Sequence, residues 1–153
     1  MEIINMQVLA ENRKAFFDYE IIEKYQAGII LNGQEVKSIK NGRISLAGSF
    51  VVLKDNEVFL LNADVPPYQP NNIYGEYEAK RSRKLLLQKS EINELIGKTK
   101  QKGLTMVPLK VYNHKGKVKV EFALCKGKRK ADKREKIKTR EADREIHRTL
   151  KRG

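Results

Sequence analysis

The chain has 153 residues, of which 33% are charged, and 32 Lys and Arg against 19 Asp and Glu leave it at +13. That balance points to a polyanionic partner and away from acidic ones. A single cysteine excludes an internal disulfide or a cysteine zinc site, and no apolar run approaches the roughly 20 residues a transmembrane helix needs. The first 14 residues lack the basic segment and apolar stretch of a signal peptide, so a cytoplasmic location is expected, with no membrane partner.

Taken in chain order, residues 16–31 are rich in aromatic and β-branched side chains and predict a long strand, bent near Ala27-Gly28. Residues 34–41 predict a short helix with Val36 and Ile39 on one side and Gly42 as its stop. Residues 49–54 and 57–65 flank Asp55-Asn56, a good turn pair, and predict a β-hairpin. Pro66-Pro67 and Pro70-Asn71-Asn72 mark a loop. Residues 84–88 predict a short buried strand. Ser90 is the expected cap of a helix running to Lys102, with Ile92, Leu95 and Ile96 on one face and Gly103 beyond its end. Residues 104–112 and 117–125 predict a second hairpin around His114-Lys115-Gly116. In its last strand Val118, Val120 and Phe122 alternate with Lys119 and Glu121, the pattern of a half-buried strand.

Short antiparallel strands with two or three short helices predict a mainly β protein, an OB-like closed antiparallel β-barrel. The expected division is a barrel over residues 1–125 and a basic tail over 126–153. The tail holds 13 Lys and Arg against 5 Asp and Glu. It has only Ile137, Ile146 and Leu150 as large apolar residues, so it cannot build a core by itself. Its residues favour helix, and Lys136, Arg140, Arg144, Arg148 and Arg152 recur every four positions as one basic stripe. Folding against a partner is expected, as a helix of roughly 33 Å from Asp132 onward.

Catalysis finds no footing. His114 and His147 have no neighbouring cysteine or orienting carboxylate, no glycine loop is spaced to cradle phosphate, and Glu76 and Glu78 alternate with tyrosines as on a solvated strand. No metal-ligand cluster is visible, and no cofactor is implied. The sequence describes a binder. Two basic groups in the body, Asn12-Arg13-Lys14 and Lys80 to Lys84, add phosphate-seeking charge to that of the tail. Tyr19, Tyr25, Tyr68, Tyr74 and Tyr77 are candidate stacking faces for unpaired bases. A generic basic RNA- or DNA-binding protein, or a ribosome-associated structural one, would share the tail.

The motifs narrow this further. Asn12-Arg13-Lys14-Ala15, Ala27-Gly28-Ile29, and the run from Leu31 through Gly33-Gln34-Glu35-Val36-Lys37-Ser38 to Ile39 resemble the SmpB family, the SsrA-binding proteins of bacteria. So do Arg81 to Leu87 (RSRKLLL), the last hairpin into Lys126-Gly127-Lys128, and Asp132-Lys133-Arg134 with the basic tail behind it. The resemblance runs from about residue 6 to 152, with the motifs in the family's order.

That resemblance implies a monomer in isolation that binds transfer-messenger RNA (tmRNA) and takes part in trans-translation. An OB-like barrel would grip the tRNA-like domain of the RNA. The tail, disordered when free, would become helical in the empty mRNA channel of the small ribosomal subunit, at the decoding centre. By match to family positions, Asn12, Lys37, Leu86 and Lys117 are candidates for the RNA-facing side, with Arg13, Lys14, Arg81, Arg83 and Lys84 as phosphate contacts. Gln26 stands where the family often has Glu and keeps hydrogen-bonding capacity without the charge. In the tail the candidate ribosome contacts are Lys126, Lys128, Arg129, Asp132, Lys133, Arg134, Lys136, Lys138, Arg140, Arg144, Ile146, Arg148 and Leu150. Ala131 occupies a place where the family often has an aromatic residue or His.

Overall fold

Two-residue turns set the frame. The computed structural model describes residues 6–69 and 77–128. In it Asp55 and Asn56 adopt φ of 52° and 61°, and Lys115 and Gly116 adopt φ of 51° and 80°. These left-handed pairs match the twist of the strands they join. The first joins β3 (Phe50–Lys54) to β4 (Glu57–Leu61), and the second joins β6 (Leu104–His114) to β7 (Lys117–Gly127). Both hairpins are where the sequence puts them. The second turn is Lys115-Gly116 alone, with His114 the last residue of β6.

The N-terminal third departs from expectation. A strand, β1 (Met6–Glu11), precedes a one-and-a-half-turn helix, α1 (Arg13–Asp18), and β2 runs only from Tyr19 to Ile29. Phe16 and Phe17 therefore belong to a helix, too short for a 3.6-residue period to show. Strand β1 pairs with β6 alone, and its Gln7, Ala10 and Glu11 hide the alternation expected of a strand.

Helix α2 (Gly33–Lys40) is fixed at its start by a reciprocal cap. The Asn32 side chain accepts from the Glu35 N–H at 2.9 Å, and Glu35 Oε1 accepts from the Asn32 N–H at 3.0 Å. This satisfies two donors that a helix start leaves unpaired. Gly42, at φ 76°, turns the chain away. After β5 (Arg83–Leu86), helix α3 spans Lys89–Lys98. It begins at Gln88, whose N–H donates to Glu91 Oε1 at 3.2 Å, rather than at Ser90. It also ends at Thr99, short of Lys102, and Gly103 at φ 87° serves the turn into β6.

Antiparallel pairing runs β6–β3–β4–β5–β2–β7 and returns to β6, so the sheet closes into a ring, with β1 laid on β6 beyond the point where β3 leaves it. This is the mainly β, closed antiparallel architecture that the strand pattern predicts. Inside the ring lie Tyr25, Leu60, Leu85, Leu95, Phe122 and Leu124, with the Tyr25 and Phe122 rings stacked at 5.4 Å. A second cluster of Val107, Leu109, Ala123 and Cys125 lies under Ala15 of α1. Strand β7 is therefore buried on both faces from Val120 to Cys125, not half-buried. The helix covers the face that alternation alone assigns to solvent. Strand β7 also continues to Gly127, two residues past the expected domain boundary.

Candidate nucleic-acid interface

Cross-strand register builds one outer face from four neighbouring strands and β1. Gly28 of β2 pairs with Leu86 of β5 on one side and Lys119 of β7 on the other. Lys119 pairs with Tyr112 of β6, and Tyr112 with Val8 of β1. Paired residues point to the same side of a sheet, so these five form one rung, roughly 19 Å across at ordinary strand spacing. A second rung runs Gln26, Glu121, Lys110, Glu11.

The face carries two open clefts. One of about 300 Å3 is lined by Gly28, Val36, Lys40, Leu86, Lys117 and Lys119. The other, about 500 Å3, is lined by Met6, Gln26, Lys110, Tyr112, His114, Lys119 and Glu121. Leu86 is 49% exposed. A Cβ at Gly28 would lie 3.4 Å from Leu86 Cβ, so the glycine lets this leucine lie across bare backbone. An apolar knob ringed by lysines suits a ligand with flat apolar faces and anionic links, which is the chemistry of a polynucleotide.

The second cleft has a polar floor. Gln26 Nε2 donates to Glu121 Oε2 at 2.6 Å, and the Tyr112 hydroxyl donates to Gln26 Oε1 at 2.5 Å. Lys110 Nζ stands 3.8 Å from the same Glu121 oxygen and 6.0 Å from the centre of the Tyr112 ring. Three strands are thus tied across the face by one amide.

Beneath this face sits a charge cluster that joins the two most distinctive motifs. Glu35 and Arg83 are fully buried, with Arg83 Nε donating to Glu35 Oε2 at 2.6 Å. Arg83 also donates to the Ala63 and Ala79 carbonyls at 2.8 and 2.9 Å. Arg81 completes the set, donating to Glu35 Oε1 at 2.6 Å and Oε2 at 3.1 Å. Burial alone would push the Glu35 carboxyl up, but hydrogen bonds from Arg81, the Asn32 backbone and Arg83 outweigh it and hold the group below the ordinary carboxylate range.

This corrects one of the expected phosphate contacts: Arg83 is enclosed, whereas Arg81, bonded to Glu35, keeps 34% of its side chain exposed. Together the two arginines hold helix α2 against β5. Period-two alternation carries the signal: Arg83 shares the inward side with Leu85, while Lys84 and Leu86 face out. Lys84 is partly exposed and pairs with Glu57 at 3.1 Å. The Lys37 ammonium lies 5.8 Å from the centre of the Tyr68 ring. Tyr25 is core and offers no stacking face. Lys119 lines both clefts but escapes sequence reasoning, although it shares its parity with Lys117 two residues earlier.

The Asn12-Arg13-Lys14 group lies at the junction of β1 and α1. Asn12 Nδ2 donates to the Pro108 carbonyl at 2.9 Å, and the Arg13 side chain is 92% exposed. Asn12, Lys14 and Gly48 line clefts of about 370 and 460 Å3 on either side of this junction. Lys126 belongs to β7, paired with Glu20 and Leu104. The Lys128 ammonium donates to the Phe16 carbonyl at 3.0 Å. Lys126 is thus part of the closed sheet, and Lys128 is tied to α1. The remaining tail candidates, from Arg129 to Leu150, lie outside the described residues, as does Tyr74.

A closed β ring with an apolar and basic outer face, and a strongly basic chain end, defines a nucleic-acid-binding β protein. Comparison with known proteins refines this. The family model described as SmpB protein matches residues 9–152. The chain belongs to the SmpB family. It is 52% identical over 145 residues, 95% of each chain, to the SsrA-binding protein of Sulfurihydrogenibium sp. (strain YO3AOP1). It is 50% identical over 145 residues to that of Enterococcus faecalis (strain ATCC 700802 / V583), covering 95% of this chain and 94% of the relative. A solved chain from "tmRNA-SmpB: a journey to the center of the bacterial ribosome" superposes with a TM-score of 0.66 at 46% identity, covering 84% of this chain and 93% of that one.

Proposed function

We propose that this protein is a tmRNA-binding adaptor of trans-translation: it binds tmRNA and carries it to stalled ribosomes for rescue and peptide tagging. It is a binding protein, not an enzyme. What carries the reading is the extent of the likeness, since SsrA-binding proteins about half identical to this chain match 95% of its length. The outer face supports it. Leu86, Gln26, Lys117 and Lys119 face the tRNA-like domain of the RNA, with Lys37 and Lys84 at the rim and Asn12, Arg13 and Lys14 beside the β1–α1 junction. The tail beyond Lys128 enters the empty mRNA channel of the small subunit, and Asp132, Lys133 and Arg134 lie near the decoding centre. The protein works in the cytoplasm as a monomer; among the described residues no helix is long and apolar enough to cross a membrane.

The test is binding of the full chain to tmRNA and to bulk tRNA over a salt series. Selective binding of tmRNA that persists as salt rises supports the reading. Equal affinity for both, falling in step with salt, marks a generic basic binder.

A further inference from the structure

Lys128 reaches back to helix α1 with two hydrogen bonds. Its main-chain N–H donates to the Asp18 carbonyl and its ammonium to the Phe16 carbonyl, both at 3.0 Å. The last four carbonyls of a helix have no partner within it. In α1 the Ala15 carbonyl takes the Tyr19 N–H, and the last turn holds no basic residue of its own. Lys128 supplies that cation from a distant part of the chain, at the negative end of the helix. The other end of α1 is tied as firmly. The Asn12 N–H donates to the Leu109 carbonyl at 2.7 Å, and Asn12 Nδ2 to the Pro108 carbonyl at 2.9 Å. Between the two ends Ala15 packs on Val107, Leu109, Ala123 and Cys125. Asn12 and Lys128 therefore sit at opposite ends of one fixed helix, about 9 Å long.

We propose that Lys128 is a positioning residue: it clasps the root of the basic tail to the end of α1 and so fixes where residues 129–153 leave the barrel, and in which direction. The inference rests on the tmRNA-adaptor reading above, in which that segment enters a narrow channel while the barrel holds RNA. A root that pivots freely gives up its freedom at entry, whereas a root already clasped has lost it in advance. Fixing the backbone of one residue is worth roughly ten-fold in an equilibrium. The ammonium bond lies at the surface, where a hydrogen bond adds little to the stability of a fold, so its use is geometric. The rival is that Lys128 acts by charge alone, as one more contact to ribosomal RNA.

Three variants of the full chain separate the two. Lys128→Met keeps much of the side chain's length and removes its donor. Lys128→Met with Ala131→Lys also restores the lost charge nearby. Lys128→Arg keeps both charge and donor. Each is measured for tmRNA affinity, for amide hydrogen exchange at position 128, and for peptide tagging on stalled ribosomes with the protein–tmRNA complex below saturation. The first two should bind tmRNA within about two-fold of the native chain. They should exchange faster at position 128 and tag roughly ten-fold more slowly, while Lys128→Arg matches the native chain. Native tagging by either of the first two overturns the inference, and recovery in the second alone marks a charge contact. So does an amide at position 128 that exchanges in the native chain as fast as in an unfolded peptide, or a loss of tagging matched by an equal loss of tmRNA affinity. A native chain that binds tmRNA but supports no tagging overturns the adaptor reading, and the inference with it.

Discussion

Removing the Glu35 carboxylate would strand the Arg83 guanidinium in a site with no access to water. Breaking one side of a buried ion pair typically costs about 3–5 kcal/mol, so Glu35→Ala should lower unfolding stability in urea by that amount. Its pH dependence has a definite sign. The folded-state pKa of Glu35 lies below 4.5, the ordinary value for a glutamate, so the unfolded chain binds more protons between the two values. The contribution is complete above 4.5 and is lost as pH falls through the lower, folded value. Stability of Glu35→Gln, followed by urea melts from pH 6 downward, should therefore fall less steeply in acid than that of the native chain. Cys125 lies in the cluster beneath α1, where burial pushes its thiol up to about 11. It should react with a thiol reagent at neutral pH only as fast as the protein opens, which mass-resolved labelling with and without denaturant measures.

At the scale of elements, legibility followed turn chemistry. Asp55-Asn56 and Lys115-Gly116 announce their hairpins because few residue pairs accept two left-handed conformations in a row. Helix α2 was readable from Val36 and Ile39 on one side and Gly42 at its end, although not from its cap at Asn32. Helix α1 was not, because Phe16 and Phe17 look like the start of the strand that follows and nothing local says that Ala15 packs on Val107 and Ala123. The same long-range packing hid the two-sided burial of β7. The rung from Leu86 to Val8 depends on pairings between distant segments, so its members could be named singly but not assembled. Arginine is seldom buried whole, which made Arg83 look like surface charge. Phe122 is stacked on Tyr25 and sealed inside the ring. Phe122→Ala should cost about 3–5 kcal/mol in a thermal or urea melt, whereas Lys117→Ala, on the exposed end of the same strand, should leave stability within roughly 0.5 kcal/mol.

The whole molecule combines a shaped face with a charged chain end. The tail holds 13 of the 32 basic residues. Replacing its lysines and arginines beyond Lys128 should flatten the dependence of affinity on salt while leaving the preference for tmRNA over tRNA. Changes on the face should do the reverse. Leu86 carries no charge and is half exposed, so its replacement tests shape apart from electrostatics. The most direct measurement compares the native chain with Leu86→Asn in competition binding, tmRNA against bulk tRNA at fixed salt, with a melt to show that the fold is intact. Affinity for tmRNA should drop roughly ten-fold or more, the order lost when a base's apolar contact is removed, while weak tRNA binding hardly moves. Equal loss for both RNAs, or no loss for either, would contradict the claim that this face recognises the RNA.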